Sequence, residues 1–192
     1  MPLKLIHGPP NSGRAGRIRH GLMAVLDRDP VLVVPTLDDV YAFERELCAN
    51  GAVLGADVMT FVGLFRAVAT AGAAPPGTVL TPAQRLGAVA AAAGELRAGL
   101  GPLRDSALRS GFPLALERLL DELQGAGLEP ADVEATAATL EGSAYLGDIA
   151  ALFSGYARVR DGLGTVDTHD IAREAIDLLD GGSEFWRRPV FL

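Results

Sequence analysis

Lys4-Leu5-Ile6-His7-Gly8-Pro9-Pro10-Asn11-Ser12-Gly13-Arg14-Ala15 is the stretch on which the reading of this chain turns. A short apolar run enters a turn rich in Gly and Pro, and an amphipathic segment from about Arg14 to Leu26 follows. Strand, glycine-rich turn and helix N-terminus together are the layout of a phosphate-binding loop. Such a loop asks for Gly, four free positions, Gly, Lys, and then Ser or Thr. Gly8 and Gly13 hold the glycine positions, with Asn11 and Ser12 between them. Arg14 stands where the lysine belongs, and Ala15 replaces the hydroxyl residue.

Both replacements have chemical consequences. The lysine ammonium reaches the β- and γ-phosphates, and the hydroxyl holds Mg²⁺. Arginine keeps the charge on a larger planar fork, and alanine has no oxygen for a metal. Backbone amides of the loop remain able to cradle an anion. Weak or absent nucleotide binding and no efficient hydrolysis are therefore expected. The same residues also suit a plain turn between a strand and a helix. Arg14, Arg17, Arg19 and His20 then crowd the first turns of the helix, against its dipole. They suit a phosphate of a nucleotide or of DNA, and equally a solvated arginine-rich face.

The chain has 192 residues, enough for one large domain or a domain with a sizeable insertion. Hydrophobic residues make up 49% and charged residues 21%, which excludes global disorder. A net charge of −7 argues against a wholly basic nucleic-acid coat but leaves room for a local basic groove. Lys4 is the only lysine and Ala and Gly abound, as in a GC-rich bacterial coding sequence. With Cys48 alone, an internal disulfide and a cysteine-built metal site are excluded. The start lacks the apolar core of a secretory signal, and no run is long enough to span a membrane. The expected location is the cytoplasm, with no membrane contact.

Further along, Val31–Val34 is a continuous apolar run, as in a strand of a parallel sheet buried on both faces. Thr36 with Asp39 makes a helix cap, and Leu37, Val40, Tyr41, Leu47 and Cys48 follow on one face, with Cys48 read as core packing. Asp57–Thr60 predicts another strand, leading straight into a helix at Phe61–Phe65. Alternating strands and helices indicate a parallel α/β sheet, whose ligands gather at the carboxyl ends of the strands. The Gly8–Gly13 turn, Thr36 and Thr60 all lie there.

From Ala71 to Gly77 the pattern breaks and the strands are expected to stop. Thr81-Pro82-Ala83-Gln84 is a capping box. Helices are predicted from there to about Leu100, from Phe112 to Gly125, from near Pro130, and through Leu146, Ile149, Phe153 and Tyr156 to about Arg160. After the break at Asp161–Gly164, Asp167 caps a helix carrying Ile171, Ala175, Leu178 and Leu179. Pro189–Leu192 reads as a returning strand, so the chain is expected to be the N-terminal piece of something longer. The expected division is 1–77 for the first part of the sheet domain, 78–163 for an all-helical insertion, and 164–192 for the return.

This order of features resembles the first motor domain of UvrD-like superfamily-one helicases. Val31–Thr36 is similar to a strand and threonine of their early motifs, Met59-Thr60-Phe61 to the Thr-Phe element of the next, and Thr165–Ile171 to the Leu-Asp-Phe-x-Asp-Leu helix. The closer resemblance is to the B subunit of AddAB-type helicase–nucleases, whose N-terminal half is helicase-like without motor activity. It implies a RecA-like, P-loop NTPase-like sheet with a large helical insertion, cut short at its C-terminus. It also implies a role in DNA contact and scaffolding during double-strand-break repair, with Thr36, Thr60 and Phe61 matching positions that touch single-stranded DNA. The partners implied are DNA, single-stranded or as duplex ends, and a UvrD-like motor–nuclease subunit. The complete protein would carry an exonuclease domain outside these residues.

Other roles stand beside these. Thr36 also suits a helix cap and Phe61 a core anchor. His7, His20 and His169 are scattered, so no metal site is expected, and no catalytic residue is assigned. No cofactor is expected in this chain, ATP and Mg²⁺ being what an intact loop would hold. The alternatives are an active P-loop NTPase or helicase motor using Arg14, and a purely structural interaction domain.

Overall fold

A computed structural model describes residues 4–51, 53–72, 77–140, 143–182 and 187–192. The Met1–Leu3 start and part of the Ala71–Gly77 break lie outside the described residues. The chain is α/β and mostly helical, with small parallel sheets. It divides into two compact units, Met1–Ala74 with Ala175–Leu192, and Pro75–Glu174.

In the first unit, α1 (Arg14–Met23) precedes β1 (Val31–Val34), α2 (Leu37–Leu47), β2 (Asp57–Thr60) and α3 (Phe61–Ala71). The last strand of this sheet, named β5 below, is Val190–Phe191. Strand order is β2-β1-β5, all parallel, with Val34 opposite Thr60 and Leu32 opposite both Val58 and Phe191. All four β1 residues are buried, which explains their unbroken apolar run. Leu32 and Val34 pack with Leu22 of α1 and Val40 of α2, joined by Val58 and Phe191. Met59 points to the other face by alternation, where Gly63 of α3 sits close enough that a β-carbon would lie 3.1 Å from that of Met59. Arg188 draws the strand starts together, bonding the Asp29 carbonyl and the Asp57 carboxylate.

Three expectations are corrected here. Lys4–His7 forms no strand. β1 is flanked by β2 and, at Val31 and Leu32, by β5, and Leu5, 81% exposed, adds no burial that would hold the run against the sheet. On α2 the buried row is Val40, Phe43 and Leu47, at i, i+3, i+7, while Leu37 and Tyr41 are exposed. Cys48 is exposed as well, and so does not pack in the core.

The second unit opens with β3 (Thr78–Val79), paired parallel to β4 (Thr165–Val166). The strands therefore do not stop after Ala71; a two-residue ladder is too short to show alternation in sequence. Between them lie α4 (Pro82–Leu96), α5 (Phe112–Gly125), α6 (Pro130–Thr139) and α7 (Ala144–Gly162). Thr81 and Gln84 form the reciprocal cap expected of them. Val89, Ala92, Leu116, Leu120, Leu152 and Phe153 anchor the helical core. Asp148 of α7 accepts from the amides of Gly101 and Leu103 at 2.9 and 2.8 Å, fastening the turn after α4. Helix α8 (Thr168–Asp180) follows β4 and precedes β5. The division by compactness falls inside α8, downstream of the break read at Asp161–Gly164, because the first turn of α8 is bonded into the second unit.

Gly55, leading into β2, has φ +88, and a β-carbon there would lie 2.9 Å from the Leu26 carbonyl oxygen. Gly55→Ala is expected to destabilise by about 1–2 kcal/mol from the left-handed backbone alone, read as a lower urea midpoint.

Candidate functional site

The carboxyl ends of β1 and β2 lie side by side, and each strand turns directly into a helix capped by a threonine. Thr36 Oγ1 accepts from the Asp39 amide at 3.2 Å and donates to Asp39 Oδ2 at 2.7 Å. Asp39 Oδ2 accepts the Thr36 amide in return. This hydroxyl is fully committed to its capping box, and Asp38 and Asp39 set negative charge beside it. Thr60 differs. Its Oγ1 accepts from the Gly63 amide at 3.2 Å, and its hydroxyl hydrogen has no acceptor among the described residues. The next residue, Phe61, is 44% exposed, so it does not serve as a core anchor. Its ring leans on Phe65, with centroids 6.5 Å apart and planes tilted by 45°. One donor hydroxyl and one available aromatic face thus sit together at a strand end.

The Gly8–Ala15 turn is bent where the sequence asks for a bend. Ser12 donates its amide to the Pro9 carbonyl at 3.3 Å, and Asn11 and Gly13 take positive φ, 61 and 74. Gly8 lies against Ser12; a β-carbon on it would meet Ser12 Oγ at 2.7 Å. Gly13 supplies no side-chain cap to α1. Arg14 and Ala15 are both exposed. The residues do not fit a magnesium nucleotide: Ala15 has no oxygen, Arg14 is turned to solvent, and no strand holds the loop from behind. Among the described residues, no group of three or more His, Cys, Asp or Glu is placed to hold a metal ion.

Beside this turn, a cleft of about 440 Å³ is lined by Lys4, Ile6, Gly16, Arg17, His20 and Gly21 together with Gly13. Arg19, the neighbouring cation, is paired with Glu46. Lys4, Arg17 and His20 have no carboxylate partner among the described residues.

The second unit holds a polar cluster that sequence reading missed. Asp167, 2% exposed, accepts on Oδ2 from Gln124 Nε2 at 2.7 Å, Tyr156 Oη at 3.1 Å, Arg85 at 3.3 Å and Arg160 at 3.4 Å. Its Oδ1 accepts the amides of His169 and Asp170 at 2.9 and 3.1 Å, which caps α8. Arg85 also bonds Glu117 and Gln124, and Arg160 pairs with Asp170 at 2.7 Å. Both guanidinium groups lie over the Tyr156 ring, at 5.4 and 6.0 Å from its centroid. One carboxylate therefore ties α4, α5, α7 and α8 together. Asp167 was legible only as a cap; an arginine one step beyond a capping box carries no mark of burial in sequence.

The charges settle accordingly. Burial alone would raise the Asp167 pKa, but the Gln124 and Asp170 bonds and the charges of Arg85 and Arg160 outweigh it and hold the carboxyl below its usual range. The Tyr156 phenol is pushed up, by burial first and then by the Asp167 charge, so it stays a donor. For Arg160, burial opposes the charge, yet Asp170, Asp161 and Asp167 prevail and raise its pKa. Every buried side-chain polar atom among the described residues has a partner, which marks a closed structural cluster rather than a reactive one.

No family model and no curated protein sequence matches the chain. Among the described residues, no helix is long and apolar enough to cross a membrane.

Asp167→Ala removes the buried carboxylate that Arg85 and Arg160 share and is expected to cost about 3–5 kcal/mol, measured by urea denaturation. Because folding lowers the Asp167 pKa, its contribution is complete above the unfolded value near pH 3.9 and is lost as pH falls through the folded value. The stability gap between the wild type and Asp167→Asn is therefore expected to be constant from pH 5 to 7 and to narrow below about pH 4.

Proposed function

We propose that this chain is the helicase-like, non-catalytic DNA-binding and assembly region of a helicase–nuclease subunit acting on double-strand breaks. Its sheet would be the RecA-like core, carrying the second unit as a helical insertion, in a cytoplasmic protein that joins a UvrD-like motor partner. The observation that carries this reading is the Thr60–Phe61 pair. A hydroxyl with a spare hydrogen suits a backbone phosphate, and an exposed ring beside it suits a base stacked on its face. Thr36 contributes less, since its hydroxyl is spent on Asp39 and the adjacent carboxylates repel phosphate. The non-catalytic character follows from Arg14 and Ala15, whose side chains supply neither the compact ammonium nor the metal-binding oxygen of a working loop.

Single-stranded DNA is expected to bind with strong salt dependence, followed by fluorescence anisotropy of a labelled oligothymidylate. Phe61→Ala is expected to weaken binding by about 1–3 kcal/mol, the range for loss of one base–aromatic stack, while leaving the salt slope unchanged. Absence of binding at low salt would defeat the proposal. Mg-ATP is expected to leave the melting temperature unmoved; a clear rise would instead mark an active nucleotide site.

A further inference from the structure

We infer that the basic cleft beside α1 holds a backbone phosphate of the same single strand, rather than the phosphates of a nucleotide. This extends the proposed function and rests on it. Lys4, Arg17 and His20 converge on a cleft of about 440 Å³ with no carboxylate partner among the described residues. That is unusual in a chain with net charge −7, where the adjacent Arg19 already has Glu46. Concentrated unpaired cations in a concave wall raise the local anion concentration.

The walls favour a phosphodiester over a nucleotide. Gly16 lines the cleft with open space where a side chain would stand, so a sugar–phosphate backbone can approach the helix closely. A nucleotide also needs an apolar slot for its base, and Ile6 is the sole apolar side chain among the lining residues. The metal-binding hydroxyl is absent at Ala15. Lys4 and the helix flank, not the first-turn amides of α1, supply the charge.

Position agrees as well. Helix α1 leads through the Leu26–Arg28 turn into the start of β1, so its own first turns point toward the carboxyl ends of the strands. Gly21 lies over Phe191, with 3.2 Å between its β-carbon position and the ring edge, which sets the cleft on the β5 side of the sheet. Thr60 and Phe61 lie on the β2 side. Two strand spacings, about 10 Å, separate the two sides, a distance a single strand crosses in a few nucleotides.

The test is oligothymidylate binding to the full chain over a salt series, with three variants. Arg17→Glu is expected to weaken binding at least tenfold at low salt and to lower the salt slope by about 0.7, the value for one phosphate contact on a single strand. Arg158→Glu, an exposed position in the second unit with the same charge change, is the control and is expected to alter neither. Phe61→Ala reports on the base-stacking site alone. If Arg17→Glu behaves like Arg158→Glu while Phe61→Ala still weakens binding, the cleft is not a phosphate site and the proposed function stands. If the wild type binds no oligonucleotide, both fall. Displacement of the oligonucleotide by ATP well below the concentration needed with inorganic phosphate would identify a nucleotide pocket and overturn the inference. Circular dichroism of each variant confirms folding, since all three positions are exposed.

Discussion

Burial of Val31–Val34 on both faces and along both edges is the constraint from which the sheet unit follows. β2 runs along one edge of β1 for its whole length, and β5 along the other at Val31 and Leu32. The same burial directs the helices. Leu32 and Val34 collect Leu22 and Val40 on one face, leaving α3 to begin against Met59 on the other. Because the strands are parallel, β1 and β2 end together, and the two threonine-capped helix starts are brought to one rim. The Lys4–His7 run lies outside the ladder with Leu5 exposed, and the glycine turn after it stands open to solvent.

In the helical unit the corresponding constraint is electrostatic. Asp167 is desolvated, which by itself is unfavourable, and is kept ionised by four side-chain donors, from Arg85, Gln124, Tyr156 and Arg160, and by the two capping amides of His169 and Asp170. Removing any one donor leaves charge less well compensated in a medium of low dielectric. Such a cluster specifies one arrangement of helices more sharply than apolar contact does, since Ala-rich surfaces such as that of α4 can slide without much loss. This is a structural role.

Under the proposed function, the chemistry at the rim is that of recognition. What it offers is a hydroxyl hydrogen, an aromatic face and a set of unpaired cations, which are the elements of sequence-tolerant contact with a single strand. The turn has the bend made by Gly8, Asn11 and Gly13, while Arg14 and Ala15 offer neither the ammonium nor the hydroxyl of a loop that grips triphosphate and magnesium.

Local patterns were legible in the sequence wherever local chemistry decides the outcome. The Thr36 and Thr81 caps, the apolar run of β1 and the start of α8 at Asp167 all depend on residues within a few positions of each other. The lack of a metal-binding oxygen at Ala15 is likewise a matter of composition. Only the tertiary structure decided that Lys4–His7 stays out of the sheet, that Tyr41 and Cys48 face solvent, and that Phe61 is exposed. It also decided that Arg85, Gln124, Tyr156, Arg160 and Asp167 meet at one carboxylate. Strand pairing, the choice between neighbouring helical rows and the convergence of charges from distant segments are set by packing, which no short window of sequence encodes.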